Sequence, residues 1–210
     1  MAPQTLLLFA LQLTVHEREV DLAGKKIHYL EAGAPSGGAV LLLHGARYSS
    51  QTWKELKTPE ILAKEGFHVL ALDLPGYGRS EVSPLEPEEF LSEAMSALKL
   101  ESAVVVSPSM SGQYSFPLLI RHPEKVAAFV PVAPAGSDKY LRQLQKVKVP
   151  TLVVWGEKDA IIPLEKSDTL AAVIEDAKRV IIKDAGHPCY LENPEEFHRE
   201  LLGFLKSLPR

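Results

Sequence analysis

Apolar and polar residues follow two rhythms along this chain. Val15–Leu22 and Lys26–Glu31 alternate apolar with polar positions on either side of Gly24, the pattern of an antiparallel hairpin. Ala39–Leu43 (AVLLL) is a continuous apolar run closed by His44-Gly45, as expected of a strand buried on both faces. Thr52–Glu65 then spaces Trp53, Leu56, Ile61 and Leu62 at helical intervals, with Gly66 as its stop. Phe67–Leu72 predicts another strand and Asp73–Ser80 (DLPGYGRS) a turn-rich loop. The alternation repeats in the second half. A helix from Pro87 to about Leu98 precedes a strand at Ser102–Val106, and a helix at Met110–Arg121 precedes strands at Ala127–Val132 and Pro150–Trp155. A helix near Glu165–Asp176, a strand at Arg179–Lys183 and a helix from Pro194 to Leu205 complete the pattern. Strands that alternate with helices imply a mostly parallel sheet covered on both faces. The expected fold class is α/β, with about seven or eight strands and an antiparallel start.

Thr5–Leu13 fits neither rhythm, because it is almost wholly apolar. A membrane-spanning helix needs about 20 such residues, so this run does not span. Met1–Gln4 carries no Lys or Arg, which a signal peptide would place there. Packing on the domain and a role in targeting both stay open. The expected organisation is an apolar tail over residues 1–13 and a single domain over 14–210.

Composition narrows the class further. The 210 residues are 46% hydrophobic and 24% charged, which excludes a disordered tail or a fibre. The formal net charge is −4 and no dense basic patch is present, which argues against nucleic acid as a partner. Cys189 is the single cysteine, so there is no intrachain disulfide and no cysteine-based zinc cluster, in keeping with a reducing compartment.

The chemistry concentrates after three of the strands. In Val104–Gly112 (VVVSPSMSG) an apolar strand runs through a small-x-Ser-x-small turn into a helix. Such a turn strains the central residue and lifts its hydroxyl above the sheet, which makes Ser109 a candidate nucleophile. On this segment alone, an ordinary serine-rich turn is an equal reading. Serine needs a base beside it and a third group to orient that base. Asp159 closes a strand-Gly-x-x-Asp turn, and His187 follows the last strand in Ala185-Gly186-His187-Pro188. Singly they read as a turn residue and a loop histidine. Together the three fall in the order Ser109, Asp159, His187, each past a separate strand, which is the chain order of one particular Ser-His-Asp arrangement. Leu43-His44-Gly45-Ala46 adds a tight turn. The backbone N–H groups of Ala46 and Met110 are the candidate oxyanion donors. His44 reads as a ring that ties down its loop.

Substrate-pocket candidates are Gly45, Arg47, Tyr48, Tyr114, Pro188 and Cys189. Tyr114 reads more readily as packed, and Cys189 as a buried thiol rather than a reactive one. His16, His28, His68 and His198 lack ligand spacing, so no metal site is expected. Ala135–Val149 is too short for a cap domain, and an open, shallow site follows. Its Lys139, Arg142, Lys146 and Lys148 are expected near the pocket mouth, as a solvated face or an attractor for an anionic substrate or cofactor.

From about Val15 onward these segments resemble the α/β-hydrolase superfamily; Asp73–Ser80 and Arg121–Val126 (RHPEKV) add to the likeness. HGARYSSQTW at His44–Trp53, SPSMSGQYSFP at Ser107–Pro117, FVPVAP at Phe129–Pro134 and AGHPCYLENPEEFH at Ala185–His198 are similar to the α/β-hydrolase domain 14 proteins. Ser49-Ser50, Pro188-Cys189-Tyr190 and the lack of a long membrane anchor favour the B form over the membrane-anchored A form. The resemblance implies the α/β-hydrolase fold without a cap, with Ser109 as nucleophile, Asp159 as acid and His187 as base. It also implies hydrolysis of small acyl esters and, for the B form, removal of acetyl groups from lysine. No cofactor is required, and coenzyme A is implied as an acyl acceptor. The expectations that follow are a monomer in the cytoplasm, with the nucleus also admitted, and no nucleic-acid or membrane partner. The competing reading is a non-catalytic binding or receptor protein on the same fold. A dehalogenase would need a carboxylate at position 109, and a lyase of this fold stays open.

Overall fold

The computed structural model describes residues 14–209; the apolar tail at 1–13 lies outside the described residues. One eight-stranded sheet organises them. Its strands are β1 (His16–Leu22), β2 (Lys25–Ala32), β3 (Ala39–Leu42), β4 (His68–Leu72), β5 (Ala103–Pro108), β6 (Val126–Val132), β7 (Thr151–Gly156) and β8 (Ala177–Ile182). The spatial order is β1-β2-β4-β3-β5-β6-β7-β8. β1 and β2 pair antiparallel, β2 lies antiparallel on β4, and every later pairing is parallel. The expected α/β sheet with an antiparallel start is therefore present.

The helices are α1 (Ser50–Glu55), α2 (Thr58–Lys64), α3 (Pro87–Ala97), α4 (Gly112–Arg121), α5 (Leu141–Leu144), α6 (Glu165–Val173), α7 (Cys189–Glu192) and α8 (Pro194–Ser207). Strands β4, β5 and β7 are buried at every position and mostly apolar, because helices cover both faces. Leu41, Val105, Phe129 and Val153 pack on one side with Phe90, Phe116, Leu119 and Leu170. Val40, Val104, Val106, Val130 and Val154 pack on the other with Trp53, Leu62, Phe197 and Leu201.

Three details differ from the sequence reading. The helix expected over Thr52–Glu65 is two helices, α1 and α2, because Lys57 takes φ +58 ahead of Thr58-Pro59. In a continuous helix Pro59 would have no N–H to donate to the Glu55 carbonyl and its ring would crowd that carbonyl, so the chain restarts with Pro59 in the first turn of α2. The helix expected from Met110 begins as a 3-10 turn over Ser109–Ser111 before α4. The short α7 was not foreseen. Between β6 and β7 the chain forms a 3-10 turn at Ser137–Lys139 and the four-residue α5, with no cap domain.

Candidate active site

Parallel strands end on the same edge, so the loops after β3, β5, β7 and β8 gather at the C-terminal edge of the sheet. Ser109 follows β5 at φ +50, a backbone region in which a non-glycine residue is strained. The strain is held from outside. The Ser109 carbonyl accepts the Ala135 N–H at 2.8 Å. Gly112 lets the helix approach the end of β6, since a Cβ there would lie 2.6 Å from the Ala135 carbonyl oxygen.

His187 bridges Ser109 and Asp159. Its Nε2 stands 2.8 Å from Ser109 Oγ and its Nδ1 2.8 Å from Asp159 Oδ2. A carboxylate only accepts, so Nδ1 carries the proton and donates, which leaves the Nε2 lone pair facing the serine hydroxyl. Asp159 Oδ1 accepts the N–H groups of Ile161 at 2.9 Å and Ile162 at 2.8 Å. The carboxylate is fully shielded, with a side-chain exposure of 0% against 17% for the imidazole. Asp159 is thus shielded and held by three hydrogen bonds, while His187 and Ser109 remain reachable.

The loops that carry Asp159 and His187 are fastened to each other. The Lys158 N–H donates to the Ala185 carbonyl at 2.8 Å, and the Asp184 N–H donates to Glu157 Oε2 at 3.0 Å. A Cβ on Gly156 would lie 2.0 Å from the Gly186 carbonyl oxygen, so only glycine allows this approach. Glu192, on α7, accepts the Gly186 N–H at 2.7 Å, one residue before His187.

Across the site, the loop after β3 is tied down by His44. The Leu74 N–H donates to His44 Nε2 at 2.9 Å, and His44 Nδ1 donates to the Gly45 carbonyl at 2.9 Å. Burial lowers the pKa of this ring, partly opposed by the Gly45 carbonyl, so the neutral form is favoured. Ala46 is exposed at the turn, and Met110 is the second residue of the 3-10 turn, where a backbone N–H has no acceptor within the helix. Gly45 lies beside Ser109, but a Cβ there would meet Tyr48 and Ser109 at only 3.4 and 3.5 Å. Those are ordinary contacts, so space alone does not demand glycine.

The other candidates separate. Arg47 and Tyr48 line a depression of about 440 Å³ with Ala46, Gln51, Glu55 and Tyr77, continuous with the turn. Pro188 caps α7. Tyr114 is 7% exposed and meets Phe90 edge-on at 5.7 Å, inside the core rather than on a pocket wall. Cys189 is buried, and burial pushes its thiol up to about 12, with the Asp159 charge adding to the effect. Such a thiol is inert at neutral pH. The basic loop starts at the site, where Ala135 bonds Ser109, but three of its four cations are not at the pocket mouth. Arg142, Lys146 and Lys148 line an open groove of about 960 Å³ with Leu119, Val126 and Pro150, where β6 and β7 begin. That is the opposite edge of the sheet.

Two supporting residues escaped the sequence reading. Glu192 is one, an acid five positions past the histidine. Asp73 is the other: it accepts the Ser50 N–H at 2.6 Å and the Arg79 N–H at 2.9 Å and pairs with His28 at 2.9 Å, which organises the loop after β4. An acidic residue directly after a mostly apolar strand was the available signal. His68 pairs with Glu31 and His198 with Thr58, so each of these histidines serves a separate contact.

The profile of the α/β hydrolase fold matches residues 38–139 and 132–194. The chain belongs to the α/β-hydrolase family. Within the family it is 40% identical to human "Putative protein-lysine deacylase ABHD14B" over 208 residues, which is 93% of this chain and 98% of that protein. It is also 40% identical to human Protein ABHD14A over 176 residues, covering 81% of this chain and 65% of that protein. Identity does not separate the two forms, but the match spans nearly all of ABHD14B and two-thirds of ABHD14A. Among solved structures, a "predicted CIB-like hydrolase" from Thermoplasma acidophilum superposes with a TM-score of 0.90 at 29% identity, covering 93% of this chain and 99% of that one. Among the described residues of this α/β-hydrolase, no helix is long and apolar enough to cross a membrane.

Proposed function

We propose that this α/β-hydrolase is a serine hydrolase that cleaves short acyl esters or amides, acylated lysine side chains among them, through an acyl-enzyme on Ser109. The observation that carries the reading is the hydrogen-bonded chain from Ser109 through His187 to the shielded Asp159, at 2.8 Å for both links.

His187 Nε2 takes the Ser109 proton as Oγ attacks the acyl carbonyl. The N–H groups of Ala46 and Met110 receive the oxyanion, which adds to catalysis because they need not reorganise as charge develops. Met110 also lies at the opening turn of the elbow helix, where the positive end of the helix dipole favours an anion. Asp159 stabilises the imidazolium and holds its tautomer. The imidazolium then protonates the leaving alcohol or amine. Water attacks the acyl carbon as it gives a proton to Nε2, and the imidazolium returns that proton to Ser109 Oγ as the acid leaves. Short acyl groups suit an uncapped edge, and the large remainder of an acylated lysine chain would extend over the depression at Arg47 and Tyr48. The lysine substrate draws support from the name of ABHD14B.

Water is the acceptor proposed. Coenzyme A, as an alternative acceptor, would meet Arg47 with its phosphates in that depression, away from Arg142, Lys146 and Lys148 at the far edge of the sheet.

The test compares wild type with Ser109→Ala, using a fluorophosphonate probe, p-nitrophenyl acetate and an acetyl-lysine peptide. The expected result is labelling and ester turnover in wild type and neither in the variant. A wild-type protein that neither labels nor turns over ester is a binding protein on a hydrolase fold. Labelling that survives Ser109→Ala moves the nucleophile elsewhere.

A further inference from the structure

Three buried serines lie behind the turn that carries Ser109, and the Ser109 mechanism uses none of them. Ser107 and Ser111 are 0% exposed and Ser115 is 1% exposed. Ser107 Oγ lies 2.6 Å from Ser115 Oγ and 3.0 Å from Ser111 Oγ, and Ser111 Oγ lies 2.8 Å from the Pro108 carbonyl oxygen.

These distances fix the direction of every proton. A hydroxyl has one proton to donate. A carbonyl only accepts, so the Ser111 proton points to Pro108. Ser111 can then only accept from Ser107, so the Ser107 proton points to Ser111. Ser107 in turn accepts from Ser115. The result is a one-way chain, Ser115 to Ser107 to Ser111 to the Pro108 carbonyl.

The end of that chain is the peptide group that enters Ser109. Rotation about the next bond is the Ser109 φ of +50. Proline has no N–H, and Pro108 and Pro131 both sit at this end of the β5–β6 pairing, so backbone donors are scarce just where the turn is strained. Hydroxyls supply what the backbone lacks.

We infer that Ser115, Ser107 and Ser111 form a polarised hydrogen-bond chain that positions Ser109 by clamping the Pro108 carbonyl. They are positioning residues and touch no substrate. The inference rests on the reading of Ser109 as nucleophile. It assigns the serines flanking the turn a mechanical role that glycines would not supply. A small error in the placement of Oγ or of the Met110 N–H costs rate strongly, whereas substrate binding at the loop surface should hardly notice it.

The three serine-to-alanine variants each delete one buried oxygen, so packing alone predicts similar effects. A directed chain predicts a gradient. Ser111→Ala should lower kcat and the fluorophosphonate labelling rate about tenfold with KM unchanged, about what one lost buried hydrogen bond implies. Ser107→Ala should lose less, and Ser115→Ala only about twofold, because its loss leaves the lower links intact. The double variant Ser107→Ala/Ser111→Ala should match Ser111→Ala. Ser111→Cys fills the space but donates weakly, so it should behave like Ser111→Ala. The inference is overturned by equal losses in the three variants, by losses that follow melting temperature, or by wild-type rates in Ser111→Cys. If Ser111→Ala does not fold, the order of Ser107→Ala and Ser115→Ala still decides. Wild-type labelling with unchanged Ser111→Ala overturns this inference alone, while an unlabelled wild type overturns the nucleophile and this inference together.

Discussion

The two edges of the sheet use polar groups in opposite ways. At the edge where strands end, the charged groups beside Ser109 are committed. Asp159 is fully shielded with both oxygens engaged, and His187 spends both ring nitrogens at 2.8 Å. At the edge where β6 and β7 begin, Arg142, Lys146 and Lys148 surround an open groove with apolar walls. The ion pair there, Lys148 with Glu175 at 3.6 Å, is largely in water, where such pairs contribute little. A cluster of exposed cations therefore does not mark the candidate site. Fixed geometry in a partly dry place marks the candidate site.

If commitment is what distinguishes the first edge, breaking one committed atom should have the largest effect. Asp159→Asn keeps an oxygen for the Ile161 and Ile162 N–H groups but turns an amide N–H₂ toward His187 Nδ1. The ring must then take the other tautomer and present a proton to Ser109. We expect kcat to fall about 10⁴-fold with the fold intact, measured by ester turnover and circular dichroism. A loss under tenfold would remove Asp159 from the proposed mechanism.

The next effect concerns support rather than chemistry. Glu192→Ala leaves the Gly186 N–H without its acceptor beside His187. A drop of about tenfold in kcat is expected, the cost of one hydrogen bond to a charged group. Steady-state kinetics at pH 7 would show it, and an unchanged kcat would mean that the Gly156–Gly186 contact holds this loop alone. Smaller still is the effect of backbone strain. In the inactive background, Ser109→Gly should melt about 2–4 °C above Ser109→Ala, because only glycine relieves φ +50, worth about 1 kcal/mol. Equal melting temperatures would mean that the turn relaxes without cost.

Much of this arrangement is legible in the sequence, and the illegible parts share a cause. Ser109, Asp159 and His187 can be read because each follows a strand, and chain order plus parallel topology forces them to one edge. Helices α1 and α2 read as one because Trp53 and Ile61, eight residues apart, keep helical spacing across Lys57, and periodicity does not register a positive φ. Asp73 and Glu192 are not legible as supports because they act through backbone N–H groups, which every residue but proline carries and which leave no side-chain pattern in the chain. Arg142, Lys146 and Lys148 were placed at the wrong edge for a related reason. A loop between two parallel strands leaves one edge and must return to the other, so composition alone does not say which end of it lies near the site.

That return path sets the last test. Replacing Arg142, Lys146 and Lys148 together with alanine should leave kcat/KM for p-nitrophenyl acetate and for an acetyl-lysine peptide within about twofold of wild type, since solvated charges beyond one Debye length, about 8 Å at physiological salt, are screened. The same variant should also leave any transfer to coenzyme A unchanged, whereas Arg47→Ala should weaken it. A triple variant that loses activity at low salt and regains it at high salt would show the groove steering anionic substrate across the molecule. The contrast between the edges would then be one of range rather than of function. An unchanged triple variant confines the chemistry to the edge where the strands end, and the cations remain what their exposure makes them, a solvated face on a chain whose net charge is −4.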